Sequence, residues 1–468
     1  MDSPKFAVVG HPNKGKSSIV STLCEDDTVQ ISPTPGTTTR VRAFPMTVDG
    51  ELLYTLIDTP GFQRARRALA WLDAQGRPAS ERPQLIREFI DTHQDDDQFH
   101  DEVEILRPIA DGAGILYVID GAQRYSGEYE AEMEILRYTG QPSMALINRI
   151  GPSDHSAEWM PALEQYFRVV RYFDPYTAQF TRRLEVLKAF GELRVEWRAP
   201  LERAARALTQ ERIQRRHRSA FIIAELLYDV LSHRYEHPLN DAIDIESQKA
   251  TGLTRLAEDI RQQEQASRKA VEEIFGYHQL QVNTQPMALL AEDLFSERSL
   301  KVWGLTTGQL VGTGAIGGAA LGSGVDVALG GASLFTGALI GAVVGGASGL
   351  VGHRQLAEVK ILGASVGADI LQIGPIVNPN IPYALLARAL YHYHEVTERT
   401  HAHREPLTLE ETTDRFGAHQ LPVSSRKQLE KQFALIRRRS TNLRRSVSTQ
   451  ALANIIEKLL ADDEATHS

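Results

Sequence analysis

Phe6-Ala-Val-Val-Gly10-His-Pro-Asn-Lys-Gly15-Lys-Ser-Ser18 is the stretch whose reading decides the fold. Phe6 to Val9 is a short apolar run, the pattern of a buried strand. Gly10, Gly15, Lys16 and Ser17 then fit G-x-x-x-x-G-K-[ST], a phosphate-binding loop when it joins a strand to a helix. Ile19-Val20-Ser21-Thr22-Leu23 supplies the helix. In such a loop the glycines let backbone N–H groups of the Gly10–Ser18 segment, Asn13, Lys14, Gly15 and Ser18 included, turn inward around phosphate oxygens. The positive end of the helix adds to the field. Lys16 is expected to reach the β- and γ-phosphates and Ser17 to hold Mg²⁺.

Around this stretch the chain has 468 residues, 42% hydrophobic and 24% charged. That is enough for two or three domains of ordinary soluble composition. A net charge of −9 gives no global attraction to nucleic acid. The single cysteine, Cys24, excludes an intramolecular disulfide and fits a reducing cytoplasm, with Cys24 a packing residue. A strand and phosphate loop at the first residues leave no place for a signal peptide, so a cytoplasmic location is expected.

Strand-like runs alternate with helical stretches to about residue 190. Val41–Val48 and Leu52–Ile57 flank Asp49-Gly50 and read as a hairpin. Ile115–Ile119, Met144–Ile147 and Val169–Phe173 read as further strands. The alternation predicts an α/β P-loop domain over 1–190, its sheet mostly parallel and covered by helices. Two more motifs fall where such a domain needs them. Pro35-Gly36-Thr37-Thr38-Thr39-Arg40 lies between the loop helix and the next strand, and Thr38 is favoured to coordinate Mg²⁺ and close over the γ-phosphate. Asp58-Thr59-Pro60-Gly61 directly follows an apolar strand; Asp58 is expected at Mg²⁺, and the Gly61 N–H at the γ-phosphate.

Together these three motifs resemble the Era/TrmE branch of bacterial GTPases over roughly the first 180 residues. The whole chain also resembles a bacterial family in which such a domain precedes a helical, glycine-rich C-terminal domain. The first resemblance implies binding of GTP and GDP, Mg²⁺ dependence and GTP hydrolysis; the second names no activity. Phe62 stands where Ras-like enzymes carry a water-orienting glutamine, and a phenyl ring makes no such hydrogen bond. Asn13 matches the asparagine that helps TrmE-like enzymes hold a K⁺ beside the phosphates. The resemblance therefore implies K⁺-stimulated hydrolysis, completed by pairing of two GTPase domains; the alternative is that Asn13 only shapes the loop.

The guanine-reading motif is damaged. Asn148-Arg149-Ile150-Gly151 follows the strand Met144–Ile147. Asn148 fits and the Arg149 stem can lie over a base, but Gly151 occupies the place of the aspartate that pairs with the guanine edge. Losing that contact costs about 1–3 kcal/mol of base selectivity. Asp154 is a substitute if the loop bends. Preference for GTP is thus what the resemblance implies rather than what residue 151 provides. Tyr176-Thr177-Ala178 is placed as the last base-contacting loop.

Between Phe62 and Ile115 runs a long connection with an acidic stretch from Asp91 to Glu104. It reads as an extended switch region, either a nucleotide-dependent docking surface or solvated helices. His93 and His100 within it match no metal-ligand spacing. Residues 191–300 read as a helical domain, with a stripe at Ala220, Ala224, Leu227 and Leu231. Arg215-Arg216-His217-Arg218 reads as a solvated face rather than a nucleic-acid or lipid surface.

Residues 301–354 form a glycine-rich segment. Val302–Val325 and Val327–Gly352 carry no charge, with glycine at every fourth position: Gly314, Gly318, Gly322, then Gly337, Gly341, Gly345, Gly349. The pattern predicts a glycine-zipper helical hairpin turning at Ser323–Asp326, inserted in or lying against a membrane through 302–352; a soluble buried hairpin is the competitor. Residues 355–468 read as a helical region, with a loop at Ile373–Pro382 and a helix over Tyr383–Tyr393. His392 and His394 there are taken as packing or surface residues, and Arg437–Arg439 as a basic patch. The expectation is a GTPase switching a helical domain at the inner membrane, peripherally or integrally. A soluble Era-like RNA or ribosome-assembly factor, or a slow hydrolase with relaxed base choice, is the alternative.

Overall fold

The structure, a computed structural model, describes residues 3–24, 41–276, 294–295, 297–305, 309, 357–362, 369–398, 416–438 and 442–466. Thr38 and nearly all of 302–352 lie outside the described residues. The chain divides into one unit formed mainly by Met1–Ile213 and another formed mainly by Gln214–Thr397 and Arg404–His467.

The first unit is a six-stranded sheet ordered β2-β3-β1-β4-β5-β6. Its strands are β1 (Lys5–Val9), β2 (Arg42–Val48), β3 (Glu51–Asp58), β4 (Gly114–Asp120), β5 (Ser143–Asn148) and β6 (Val169–Tyr172). Of these, β2 alone runs antiparallel, paired to β3 by the hairpin at Asp49-Gly50. Helices α1 (Lys16–Cys24), α2 (Ala65–Ala74), α3 (Arg82–His93), α4 (His100–Ala110), α5 (Glu128–Tyr138), α6 (Ser156–Tyr166) and α7 (Phe180–Leu193) cover it. The N-terminal part of α8 (Val195–Ser232) completes the unit.

The period of two along the strands sorts the core into two layers. Ala7, Val9, Ile57, Ile115, Tyr117, Ile119, Ala145 and Ile147 face the layer built with α2 to α6. Phe6, Val8, Tyr54, Leu56, Leu116, Val118, Met144 and Leu146 face the layer built with α1, α7 and the start of α8. Phe6 stacks on Phe190 with ring centroids 3.8 Å apart and meets Trp197 edge-on. Cys24 packs into the same layer.

The second unit contains a sheet that the sequence pattern does not predict. Strands β7 (Tyr235–Pro238), β8 (Ala357–Leu362) and β9 (Ile370–Ile376) pair antiparallel in the order β7-β9-β8. Two expectations change accordingly. The helical reading of 191–300 is interrupted at β7 before α9 (Ile245–Ile274), and the first part of the Ile373–Pro382 loop is strand. Pro375 is tolerated because pairing with β7 ends at Ile373 and the β8 ladder is irregular between Ala357 and Val359, so its missing N–H breaks no regular rung. Among the described residues, helices α10 (Glu297–Trp303), α11 (Ile381–Glu398), α12 (Val423–Arg438) and α13 (Asn442–Thr466) follow in the same unit. Asp244 caps α9 by accepting the Ser247 N–H at 3.0 Å.

The charge-free run begins inside this core. Trp303 is 1% exposed and packs against Tyr391, and the Leu305 N–H donates to Asn380 Oδ1 at 2.7 Å. Any bilayer contact by the run therefore starts beyond Leu305. Among the described residues no helix is long and apolar enough to cross a membrane.

Phe190→Ala removes a fully buried ring from between α7 and β1. It is expected to destabilise the first unit by about 3–5 kcal/mol. Faster amide exchange in β1 and β4, with exchange in α11 unchanged, is the measurement.

Candidate functional site

The parallel strands β1, β3, β4 and β5 end on one edge of the sheet, where ligands of open α/β sheets bind. Val8 is opposite Asp58 in the β1–β3 register, and Asp120 is opposite Asn148 in the β4–β5 register. This brings the Gly10–Ser17 loop beside both the Asp58–Gly61 and the Asn148–Gly151 turns.

Ser17, in the first turn of α1, donates its hydroxyl to Asp58 Oδ2 at 2.8 Å. Asp58 is 3% exposed. A hydroxyl and a carboxylate at this distance are the hard oxygen donors that Mg²⁺ takes, and few protein ligands suit an ion completed by phosphate and water. The Lys16 ammonium donates to the carbonyls of Gly10 and His11, at 3.2 and 2.9 Å. Burial lowers the Lys16 pKa to about 8 against the opposing pull of Asp58 and Glu132. An anionic phosphate beside it would favour the charged form.

Gly61 lies so close to the loop that a methyl group on it would overlap the Pro12 nitrogen. The Phe62 N–H donates to the Gly10 carbonyl at 3.3 Å, and the Phe62 ring is 1% exposed. The ring is thus core, in keeping with its lack of a water-orienting group. Asn13 has φ 59°, a left-handed conformation that asparagine accepts readily, and its residue is exposed.

Asn148 is fully buried and donates from Nδ2 to the Lys14 carbonyl at 3.0 Å. It braces the loop from below, where Gly15, at φ 82°, leaves room for it. Gly151 packs against Ala122: a Cβ there would stand 3.3 Å from the Ala122 methyl. Asp120 Oδ1 fixes this approach by accepting the N–H groups of Ala122 and Ile150 at 3.0 and 3.2 Å. Asp154 accepts the Ser156 N–H at 3.0 Å and lies 3.4 Å from the Arg149 guanidinium. Arg149, Asp154, Asp174, Thr177 and Ala178 share a groove of about 640 Å³. The loop before α7 is held on α1, where Thr22 donates to the Pro175 carbonyl at 2.9 Å.

His11, Glu132, Glu102 and the partners of Lys14 went unread in the sequence. His11 Nδ1 is 2.8 Å from Glu132 Oε1, and the Tyr117 hydroxyl donates to Glu132 Oε2 at 3.0 Å. Lys14 turns inward, donates to Gln123 Oε1 and lies near the Tyr129 ring; burial lowers its pKa. Glu102, 1% exposed, accepts the N–H groups of Gln63 and Arg64 at 2.9 and 2.6 Å. A signal for Glu102 existed: with Leu106 and Ile109 it occupies i, i+4 and i+7, the buried stripe of α4. Thr38, the remaining expected site residue, lies outside the described residues.

Residues 5–149 match the family described as "50S ribosome-binding GTPase", and residues 161–461 match "Domain of unknown function (DUF3482)". Among curated proteins the chain is similar to GTPase Der of Caldanaerobacter subterraneus subsp. tengcongensis, 46% identical over 63 residues, 14% of each chain. GTPase Der of Aromatoleum aromaticum is 45% identical over 62 residues, 13% of this chain and 14% of that one. The chain thus spans 14% of the length of these relatives. Aquifex aeolicus Era, solved as a variant bound to GDP·AlF4⁻, aligns at 16% identity over 59% of this chain and 90% of that one, with a TM-score of 0.30. Since 161–461 is more than half of the chain, the chain belongs to the DUF3482 family, and ahead of that domain residues 5–149 match the GTPase family model.

Proposed function

We propose that this chain is a Mg²⁺-dependent GTP-binding hydrolase acting as a molecular switch. The observation that carries the reading is the meeting of Ser17 and Asp58 at 2.8 Å, with Lys16 folded onto the carbonyls of the same loop. Ser17 and Asp58 would hold Mg²⁺, Lys16 and the loop N–H groups of Gly10 to Ser18 would hold the β- and γ-phosphates, and Gly61 would respond to the γ-phosphate. Thr38 would complete the metal site. Bound Mg²⁺ neutralises charge on the phosphates. Arg149 would lie over the base, with Asn148 supporting the loop beneath it. Because Gly151 leaves the guanine edge without its usual carboxylate, weak discrimination between purine bases follows.

Fluorescent GTP and GDP should bind the full chain in the presence of Mg²⁺, and phosphate should be released on incubation with GTP. Lys16→Ala and Asp58→Ala should each lower turnover by about a hundredfold or more. Absence of binding to any purine triphosphate with Mg²⁺ present would overturn the reading.

Phe62 leaves hydrolysis in need of another source of charge stabilisation. We infer that K⁺ near Asn13 provides it, with a second GTPase domain closing over the site. Turnover in K⁺ should exceed that in Na⁺ by about tenfold, and Asn13→Ala should abolish the difference. Equal rates in the two salts would remove the inference.

The finer part of the reading is membrane association as a regulatory or remodelling switch. Its support is the sequence beyond Leu305, free of charge but for Asp326 as far as Gly352 and with glycine at four-residue spacing over Gly314–Gly322 and Gly337–Gly349. The intact chain should float with liposomes of mixed neutral and anionic lipids, and a chain lacking residues 306–352 should not. An intact chain that stays at the bottom and instead follows ribosomal particles would favour the Era-like alternative.

A further inference from the structure

Helix α4 sends two carboxylates to two separate backbone segments. Glu102 accepts the N–H groups of Gln63 and Arg64, at 2.9 and 2.6 Å. Two residues on, Glu104 Oε2 accepts the N–H of Val41 at 3.3 Å. Gln63 and Arg64 directly follow Asp58-Thr-Pro-Gly61 and Phe62. Val41 directly follows Thr37-Thr38-Thr39-Arg40. We propose that α4 is a clamp joining the chain after Gly61 to the chain entering β2 at Val41, with Glu102 and Glu104 as positioning residues for GTP hydrolysis; this rests on the GTPase reading above.

Three features support it. First, the bonds continue on both sides of the turn after β3. Phe62 is tied to the phosphate loop through the Gly10 carbonyl, and the next two residues are tied to α4. A displacement of Gly61 toward a γ-phosphate must therefore move α4 with it or break bonds to a buried carboxylate. Second, Glu102 is committed to this role. Burial holds its pKa above the ordinary carboxylate value, the N–H groups of Arg64 and Gln63 offset part of that rise, and loss of those donors would leave the carboxyl without them in the core. Third, the Arg64 guanidinium donates to the Gln98 carbonyl, just ahead of α4, so the segment is held by side chain as well as backbone. α4 is seated in the core through Val103, Ile105, Leu106 and Ile109, which gives both carboxylates a common, stiff mount.

A strut that only supports the fold would make the same bonds. The clamp differs in coupling the two segments, so the test reads coupling. In the full chain, Glu102→Met and Glu104→Ala should each lower kcat for GTP by about tenfold, with KM within about twofold. The double variant should be no slower than the slower single variant, because one clamp is lost only once. Glu102→Gln keeps an acceptor oxygen and should recover most of the rate. With a non-hydrolysable GTP analogue bound, Glu104→Ala should speed amide exchange at Gln63 and Arg64, and Glu102→Met should speed it at Val41, where Glu102→Gln should leave it near the parental rate. Single variants at the parental kcat would overturn the clamp. So would multiplicative losses with exchange altered only at each variant's own segment. If Glu102→Met does not fold, exchange at Gln63 and Arg64 in Glu104→Ala decides alone. A parental chain that neither binds nor cleaves GTP removes the GTPase reading and the clamp together; a parental chain that does both while the variants match it removes only the clamp.

Discussion

The hydrogen bond from Ser17 to Asp58 is the constraint from which the site follows. Its partners are 41 residues apart, one opening a helix and the other closing a strand. They meet only if β1 and β3 are parallel neighbours in the register that sets Val8 against Asp58. A slip of one residue in β3 would turn Asp58 to the other face and Ile57 out of its layer, so the core and the site enforce the same register. Once that register is set, the chain leaving β3 crosses close over the phosphate loop. Residue 61 then has no room for a side chain, and residue 62 points into the core.

Much of this was legible in the sequence because the relevant signals are local. The G-x-x-x-x-G-K-S spacing, the strand ending at Asp58 and the Asp49-Gly50 hairpin each depend on neighbours within a few residues. The partners of Lys14, His11 and the chain after Phe62 were not legible, because Gln123, Glu132 and Glu102 sit on elements distant in sequence. Glu102 and Glu132 also look like surface residues, and only their registration with Leu106 and Ile109, or with Ile135 and Leu136, marks them as buried. The small sheet of the second unit was missed for a related reason. Tyr235–Pro238 is short and polar, and Gly374-Pro375 advertises a loop; only pairing across more than a hundred residues makes them strands.

In the second unit, residues of the two basic clusters turn out to be engaged internally. Arg216 meets Glu464 at 3.1 Å, His217 meets Glu457 at 2.9 Å, and Arg437 donates to the Ile376 carbonyl at 3.2 Å. His392 and His394 are buried against Glu272 and Asp463, each at 2.9 Å. Arg388 is also 1% exposed, and its guanidinium meets Glu264. Burial pushes the Glu264 carboxyl up, yet Arg268 and Arg388 together hold it below its ordinary value. Such pairs add little net stability relative to apolar packing, but any arrangement of α9 and α11 that separates them leaves a charge uncompensated. The pairing therefore selects one register between the two helices, which apolar stripes alone would leave loosely defined.

The same logic applies to Phe62. In a GTPase with glutamine at this place, the residue after the γ-phosphate sensor stays near solvent to orient water. Here the ring is sunk in the core beside α4, and the backbone on either side of it is hydrogen-bonded. A segment anchored in this way cannot reorganise one residue at a time, because drawing the ring out exposes a large apolar surface. It can move only together with the helix against which it packs. With phenylalanine at position 62 the turn after β3 is anchored rather than free. Any response to a nucleotide bound at this site would therefore pass most directly through α2–α4, between β3 and β4.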